Sequence, residues 1–341
     1  MTYELTIAAI IQETDDVKSF VFEKHEAIHY AAGQYLTFIF HINGVELRRS
    51  YSIASSPITG EPLQITFKRI PNGAVSRLLF DHYKAGDRMI TTGAAGFFIL
   101  PPHQQTVTRL FFFAAGSGIV PIFSMIKTAL HEKHYQQVIL IYSSRSAKKT
   151  IFHNELKQLL EENPGRLLIE FLFSISFDLR DARLNNLAME KLIERYTIVP
   201  GENSFYFLCG PLSYMRMIEF ELRTSGVSAE RIRKEHFVTS KPLRNNTPPD
   251  TSRHLVTLHM NQRIYTMEVQ YPVSILSEAK KHQIPIPYSC EAGKCGNCSA
   301  RCLEGKVWTL YNEVLTEEDL RKGIVLTCNS FPVEGDVVLS I

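Results

Sequence analysis

Four of the six cysteines, Cys290, Cys295, Cys298 and Cys328, stand near the C-terminus in the order C-x4-C-x2-C followed, after a long gap, by a fourth thiol. Three thiolates on one short loop can wrap an inorganic cluster while the fourth arrives from another part of the fold. That three-plus-one spacing is the ligand pattern of a [2Fe–2S] cluster. Structural zinc sites more often show paired C-x2–4-C knuckles. Within Cys290-Glu-Ala-Gly-Lys-Cys-Gly-Asn-Cys298, Gly293 and Gly296 supply the backbone freedom of a tight wrap and let main-chain N–H groups approach the sulfurs. Cys302, four residues beyond Cys298, is expected to be a buried thiol on the following strand rather than a fifth ligand.

The rest of the composition narrows the class. A chain of 341 residues is long enough for two or three domains with their own cores. A formal net charge of +2 favours neither nucleic acid nor a polybasic membrane contact. Clustered thiols in a chain this long suit a reducing compartment, not a disulfide scaffold. Met1-Thr-Tyr-Glu-Leu lacks the basic and apolar regions of a signal peptide. The apolar run from Leu110 to Ile126 is interrupted by Gly116, Ser117, Gly118 and Pro121 and is too short to span a bilayer. A cytoplasmic location is expected.

The periodicity changes along the chain, and the expected fold is multidomain α/β plus β. Residues 1–105 read as an antiparallel β-barrel: apolar and polar residues alternate in Leu63-Gln-Ile-Thr-Phe-Lys, and Asn43-Gly44 between strand-like runs signals a hairpin. Residues 106–240 alternate strands (Leu110–Ala115, Val138–Tyr142, Leu167–Phe173, Phe205–Cys209) with helical stretches such as Phe152, Leu156, Leu159 and Leu160. This predicts βαβ units and a parallel sheet. Residues 241–252, rich in proline, read as a linker, and residues 253–341 as the cysteine domain. That domain opens with strands over Leu255–Met260 and Arg263–Val269 and a helix over Ile275–His282.

A second set of motifs precedes the cysteines. Arg49, Tyr51 and Ser52 close one strand and could offer a diphosphate a charge, a flavin face a ring, and a flavin edge a hydroxyl. Gly73, Ala74, Val75 and Ser76 form a glycine-opened turn able to receive phosphate at a helix start; a helix cap by Asn72 or Ser76 is the plainer alternative. Gly116, Ser117 and Gly118 lie between a buried strand and a helix that starts with Pro121 in its first turn, a place for pyrophosphate. Cys209, Gly210 and Pro211 end the last strand of the segment, where open α/β sheets bind ligands, although Cys209 alone would pass for a small buried hydrophobe.

Together with Gly33-Gln34 and Gly93-Ala-Ala-Gly96-x-Phe98, these residues resemble the ferredoxin–NADP reductase superfamily, in the branch with a C-terminal plant-type ferredoxin domain. The resemblance covers nearly the whole chain and implies an FAD-binding barrel, an NAD(P)-binding α/β domain and a β-grasp ferredoxin domain. It assigns Arg49, Tyr51, Ser52 and Gly73–Ser76 to FAD, and Gly116, Ser117, Gly118 and Pro121 to the nicotinamide cofactor's pyrophosphate. Cys209 and Gly210 go beside the nicotinamide, making Tyr51, Ser52 and Cys209 the catalytic set. Ala32 and Ala94 replace prolines common in the family. The domain order is similar to reductase components of phenylacetyl-CoA epoxidase and related oxygenase systems, which implies a protein electron acceptor of the oxygenase class.

The donor nucleotide is left open. Arg145, with Lys148 and Lys149, could pair a 2′-phosphate and lean the reading to NADPH, yet the next strand is followed by Ser174-Ile-Ser176-Phe177, with no arginine before Arg180. A solvated basic turn explains the same residues. Electron counting gives the mechanism: a nicotinamide yields two electrons, a [2Fe–2S] cluster takes one, and a flavin between them converts one to the other. Alternatives are a reductase of a ferredoxin, flavodoxin or deoxysugar dehydrase, and a non-catalytic redox sensor.

Overall fold

A computed structural model describes residues 2–101, 107–175, 184–196, 198, 203–237 and 246–341. Ser176, Phe177, Arg180 and the first part of the linker, residues 241–245, lie outside them. The chain divides into two compact units, Met1–Glu235 and His236–Ile341.

The first unit begins with β1 (Tyr3–Thr14), β2 (Val17–Phe22), β3 (Tyr35–Ile42), β4 (Val45–Ser52), β5 (Gln64–Lys68), α1 (Ala74–His82) and β6 (Arg88–Ala95). The strands form an antiparallel sheet in the order β4-β3-β6-β1-β2-β5. A bridge between Ile53 and Ile65 joins its two edges and closes the barrel. The β3–β4 hairpin turns on Asn43 (φ 51°) and Gly44 (φ 75°), the left-handed pair that a two-residue hairpin needs. Inside pack Leu5, Ile7, Phe20, Phe22, Leu36, Phe38, Ile53 and Ile65. Strand β5 departs from the expected alternation: Ile65, Thr66 and Phe67 are all buried. Thr66, on the face opposite Ile65 and Phe67, can be buried because its hydroxyl meets the Ser19 hydroxyl at 2.6 Å, so no polar group is stranded.

The unit continues with β7 (Arg109–Ala115), α2 (Ile119–His131), β8 (Gln137–Ser144), α3 (His153–Glu162), β9 (Leu167–Phe173), α4 (Asn186–Arg195), β10 (Ser204–Cys209), α5 (Leu212–Thr224) and β11 (Ile232–Glu235). These strands make an all-parallel sheet ordered β11-β10-β7-β8-β9. Residues 110–114 of β7 and all of β10 are buried, as expected of central strands covered by helices on both faces. Ala32, Ala54 and Phe98 of the barrel belong to the same core as α2 and the face of the sheet beneath it.

Polar contacts fasten α2 to the barrel along one helical face. Ser124 Oγ donates to the Ser55 carbonyl at 2.6 Å, the Thr128 and Ser56 hydroxyls meet at 2.7 Å, and Lys127 Nζ lies 2.6 Å from Glu61 Oε2. The three helix residues fall within five positions, as one face requires.

The second unit holds β12 (His254–Met260), β13 (Arg263–Val269), α6 (Ile275–Lys281), β14 (Ser299–Thr309), α7 (Glu317–Arg321), β15 (Ile324–Leu326) and β16 (Ser330–Ser340). Its mixed sheet, β13-β12-β16-β14-β15, is parallel only between β12 and β16, with α6 packed against it in β-grasp fashion. Asp250, inside the segment read as a linker, accepts the Ser252 and Glu334 N–H groups and meets His254 Nε2 at 2.6 Å. The chain is therefore tied to this domain from Asp250 onward. Among the described residues, no helix is long and apolar enough to cross a membrane.

Lys127 and Glu61 are mostly covered, so removing one charge strands the other. Lys127→Met should destabilise the flavin-loaded protein by about 1–3 kcal/mol. The double variant with Glu61→Gln should cost less than the two singles added together in urea unfolding.

Candidate functional site

The order of the parallel sheet reverses between β7 and β10, and ligands of such sheets sit outside the carboxyl ends at that point. Both predicted loops lie there. Gly116–Gly118 form one 3₁₀ turn after β7 and lead into α2, with Pro121 in its first turn. Cys209 ends β10, and Gly210 and Pro211 lead into α5. A side chain at Gly118 would place its Cβ 2.1 Å from the Cys209 carbonyl oxygen, so only glycine lets the loops touch. The Tyr142 hydroxyl donates to the Gly116 carbonyl at 3.1 Å from beneath. Neither α2 nor α5 has a side-chain cap; at α2 the Ile119 N–H is donated to the Gly116 and Ser117 carbonyls and Pro121 has none, so the first turn of α5 is the better-provided place for an anion.

The barrel brings β4 to the same place. Ser52, its last residue, is buried, and its hydroxyl lies 3.5 Å from Glu235 Oε2 at the end of β11. Burial raises the Glu235 carboxyl to about 8, against a small opposing effect of the Ser52 hydroxyl. Cys209 is fully buried, and its thiol is pushed up first by burial and then by the nearby Glu235 charge. Ser52, Cys209 and Glu235 thus converge from three strands. Glu235 was not read from the sequence: it belongs to no motif, and its one signal is its place at the end of the last strand.

Tyr51 is largely buried, with its ring 5.4 Å from Phe67 and its phenol pushed up by burial. Arg49 shares its face of the strand, is exposed, and donates to the Arg48 carbonyl at 2.7 Å. Gly73 is the N-cap of α1 without a side-chain cap, followed by Ala74, Val75 and Ser76 in the first turn. Asn72 does not cap it, and Ser76 Oγ instead accepts the Ile70 N–H at 3.1 Å. Of the basic residues after β8, Lys149 is engaged with Asp15 of the barrel, which leaves Arg145 and Lys148 exposed.

In the second unit the four predicted thiols come together in two pairs. Cys290 interacts with Cys295, and Cys298 with Cys328. Main-chain N–H groups of Ala292, Lys294 and Cys295 point at the Cys290 sulfur, that of Asn297 at Cys295, and that of Cys328 at Cys298. Gly293 (φ 68°) is pressed so closely by the Tyr311 carbonyl and the Asn329 amide that a Cβ would lie 2.5 Å from each. Cys302 is half-buried on β14, not buried as expected, because a register shift there turns its thiol to the Glu304 carbonyl at 3.4 Å.

Three domain families match in this order: an oxidoreductase FAD-binding domain over residues 4–99, an oxidoreductase NAD-binding domain over 112–219, and a 2Fe-2S iron-sulfur cluster binding domain over 258–333. The ferredoxin reductase component of 3-ketosteroid-9-alpha-monooxygenase from Rhodococcus rhodochrous is 30% identical over 96% of this chain and 94% of its own. The chain belongs to the FAD- and NAD-binding reductases that carry a [2Fe–2S] domain. A component of the 1,2-phenylacetyl-CoA epoxidase of Escherichia coli is 29% identical over 99% of this chain and 97% of its own. The solved phthalate dioxygenase reductase shares the fold, with a TM-score of 0.61 and 22% identity over 100% of this chain and 98% of that one.

The cysteine loop of this reductase fits a two-iron centre. Two pairs of thiols suit two metal ions, each with two protein ligands, better than one tetrahedral ion; among the described residues no group of three or more converges on a single ion. Hydrogen bonding from Cys295, resisted by burial and aided by backbone N–H groups, lowers Cys290 to about 6. Cys295 and Cys298 are pushed up, first by the partner thiol and then by burial. Four thiolates cannot share this loop without compensating positive charge, which iron would bring.

Glu235 gives the reductase a defined pH response. Its carboxyl is raised in the folded state, so the native protein holds a proton that the unfolded chain releases near 4.5. Stability of the parent relative to Glu235→Gln should therefore fall as pH rises from about 4.5 and level off above about 8. Chemical denaturation across that range measures it, and parallel curves would contradict the buried carboxyl.

Proposed function

We propose that this reductase draws electrons from NADPH, or NADH less well, and delivers them one at a time to a protein acceptor of the oxygenase class in the cytoplasm. The observation that carries the reading is the convergence of Ser52, Cys209 and Glu235 where the barrel meets the carboxyl ends of the parallel sheet. When bound, FAD and the [2Fe–2S] cluster supply the exchange of a nicotinamide's electron pair for single electrons.

The chain's own residues supply position and electrostatics. Arg49 and the uncapped start of α1 at Gly73–Ser76 would meet the FAD diphosphate, and Tyr51 would cover a ring face. The turn at Gly116, Ser117, Gly118 and Pro121 would meet the nucleotide pyrophosphate, with the uncapped start of α5 after Pro211 close by, and Gly210 would lie beside the nicotinamide. Cys209 would border the nicotinamide as a neutral thiol that excludes water without adding charge. Glu235, raised to about 8, holds its proton at neutral pH beside the Ser52 hydroxyl. Cys290, Cys295, Cys298 and Cys328 would hold the cluster. Arg145 and Lys148, exposed after β8, would face a 2′-phosphate. Relatives named as monooxygenase and epoxidase components support an oxygenase acceptor. Clustered cysteines in a chain of this length suit a reducing cytoplasm.

Anaerobic stopped-flow reduction tests the site. Ser52→Ala should slow flavin bleaching by NADPH about 10- to 100-fold with flavin content unchanged. Arg145→Ala should raise the KM for NADPH about tenfold or more and leave that for NADH in place. A Ser52→Ala variant as fast as the parent would remove this crevice from the reaction.

A further inference from the structure

Beside the cysteine loop sits a pair of charges that the mechanism does not use. Lys294 lies between Gly293 and Cys295, and its side chain is only 9% exposed. Its main-chain N–H points at the Cys290 sulfur. Its ammonium, 5.9 Å from the centre of the Tyr311 ring, faces Glu313 Oε2 at 3.8 Å. His236 Nδ1 stands 3.7 Å from the same oxygen. Glu313 is fastened in turn, because its N–H donates to the Gly293 carbonyl at 3.0 Å. Residues 310–315 therefore form a strap over the loop, pinned by Asn329 Nδ2 to the Tyr311 carbonyl at 2.6 Å and by the Asn312 side chain to the N–H groups of Val314 and Leu315.

Lysines are seldom buried without a task, and this one is placed inside the metal-binding loop. Adding an electron to the centre makes the loop more negative by one charge. A covered ammonium nearby favours that state and a covered carboxylate opposes it, and little water is present to screen either. We infer that Lys294 and Glu313 are positioning residues that set the redox potential of the [2Fe–2S] cluster, the lysine raising it and the glutamate lowering it. This rests on the cluster reading given above. It extends that reading from the ligands to a charge pair outside them.

The two charges make opposite predictions, which separates tuning from simple loosening of the strap. Loosening would admit water in either variant and shift both potentials the same way. Redox titration of the iron-loaded, full-length protein with mediator dyes, read by EPR and visible absorption, measures the midpoint. Glu313→Gln should favour the reduced cluster about tenfold and Lys294→Gln the oxidised cluster about tenfold, each equal to about 59 mV for one electron. Lys294→Arg, which keeps the charge, should stay within about threefold of the parent. The double variant, with neither charge, should lie between the singles. Shifts of the same sign in both singles would overturn the inference. Should Lys294→Gln fail to load iron, a loaded Glu313→Gln protein at or below the parent's potential would overturn it alone. A parent with no cluster signal would instead defeat the cluster reading itself.

Discussion

The meeting of Ser52 and Glu235 is possible only because two folds of different construction are held in one register. Ser52 ends a strand of an antiparallel barrel, and Glu235 ends a strand of a parallel sheet. The barrel core runs into the core beneath α2 through Ala32, Ala54 and Phe98. Ser124, Lys127 and Thr128 fix that helix to the barrel a few residues beyond Ser52, at Ser55, Ser56 and Glu61. The same helix starts at the crevice, so one rigid element joins the glycine turn after β7 to the strand that carries Ser52. Burying a carboxyl there costs stability at high pH.

The second unit solves a different electrostatic problem. Its thiols are close enough to influence one another, its backbone N–H groups point inward, and its loop is pressed flat by the strap at Tyr311. Such a loop is built for negative charge that a metal centre brings under control. The β-grasp sheet supplies the fixed frame: the loop leads directly into β14, and Cys328 follows β15, its antiparallel neighbour. That pairing brings a thiol distant in sequence back to the other three.

Features governed by local chemistry were legible in the sequence. The cysteine spacing, the Asn43-Gly44 turn and the glycines after β7 each impose a backbone shape by themselves, and the strands Leu167–Phe173 and Arg263–Val269 have the bounds their periodicity suggests. Features that depend on a distant partner were not. Glu235 becomes notable only beside Ser52, which is far away in sequence. Lys149 looked available to a nucleotide phosphate until Asp15 of the barrel was seen to engage it. Thr66 is covered on the other face of its strand, where Ser19 meets it, and Cys302 stays half-exposed because β14 shifts register. The Lys294–Glu313 pair joins residues on separate loops, so no spacing rule could announce it.

Anaerobic titration of the protein with NADPH and with NADH, followed by visible absorption and EPR, tests the central claim most directly. Flavin bleaching accompanied by a rhombic, one-electron iron signal is the predicted result, reached with less NADPH than NADH. A flavin that bleaches while the iron stays oxidised would contradict the account and leave the cluster as a sensor or a structural staple.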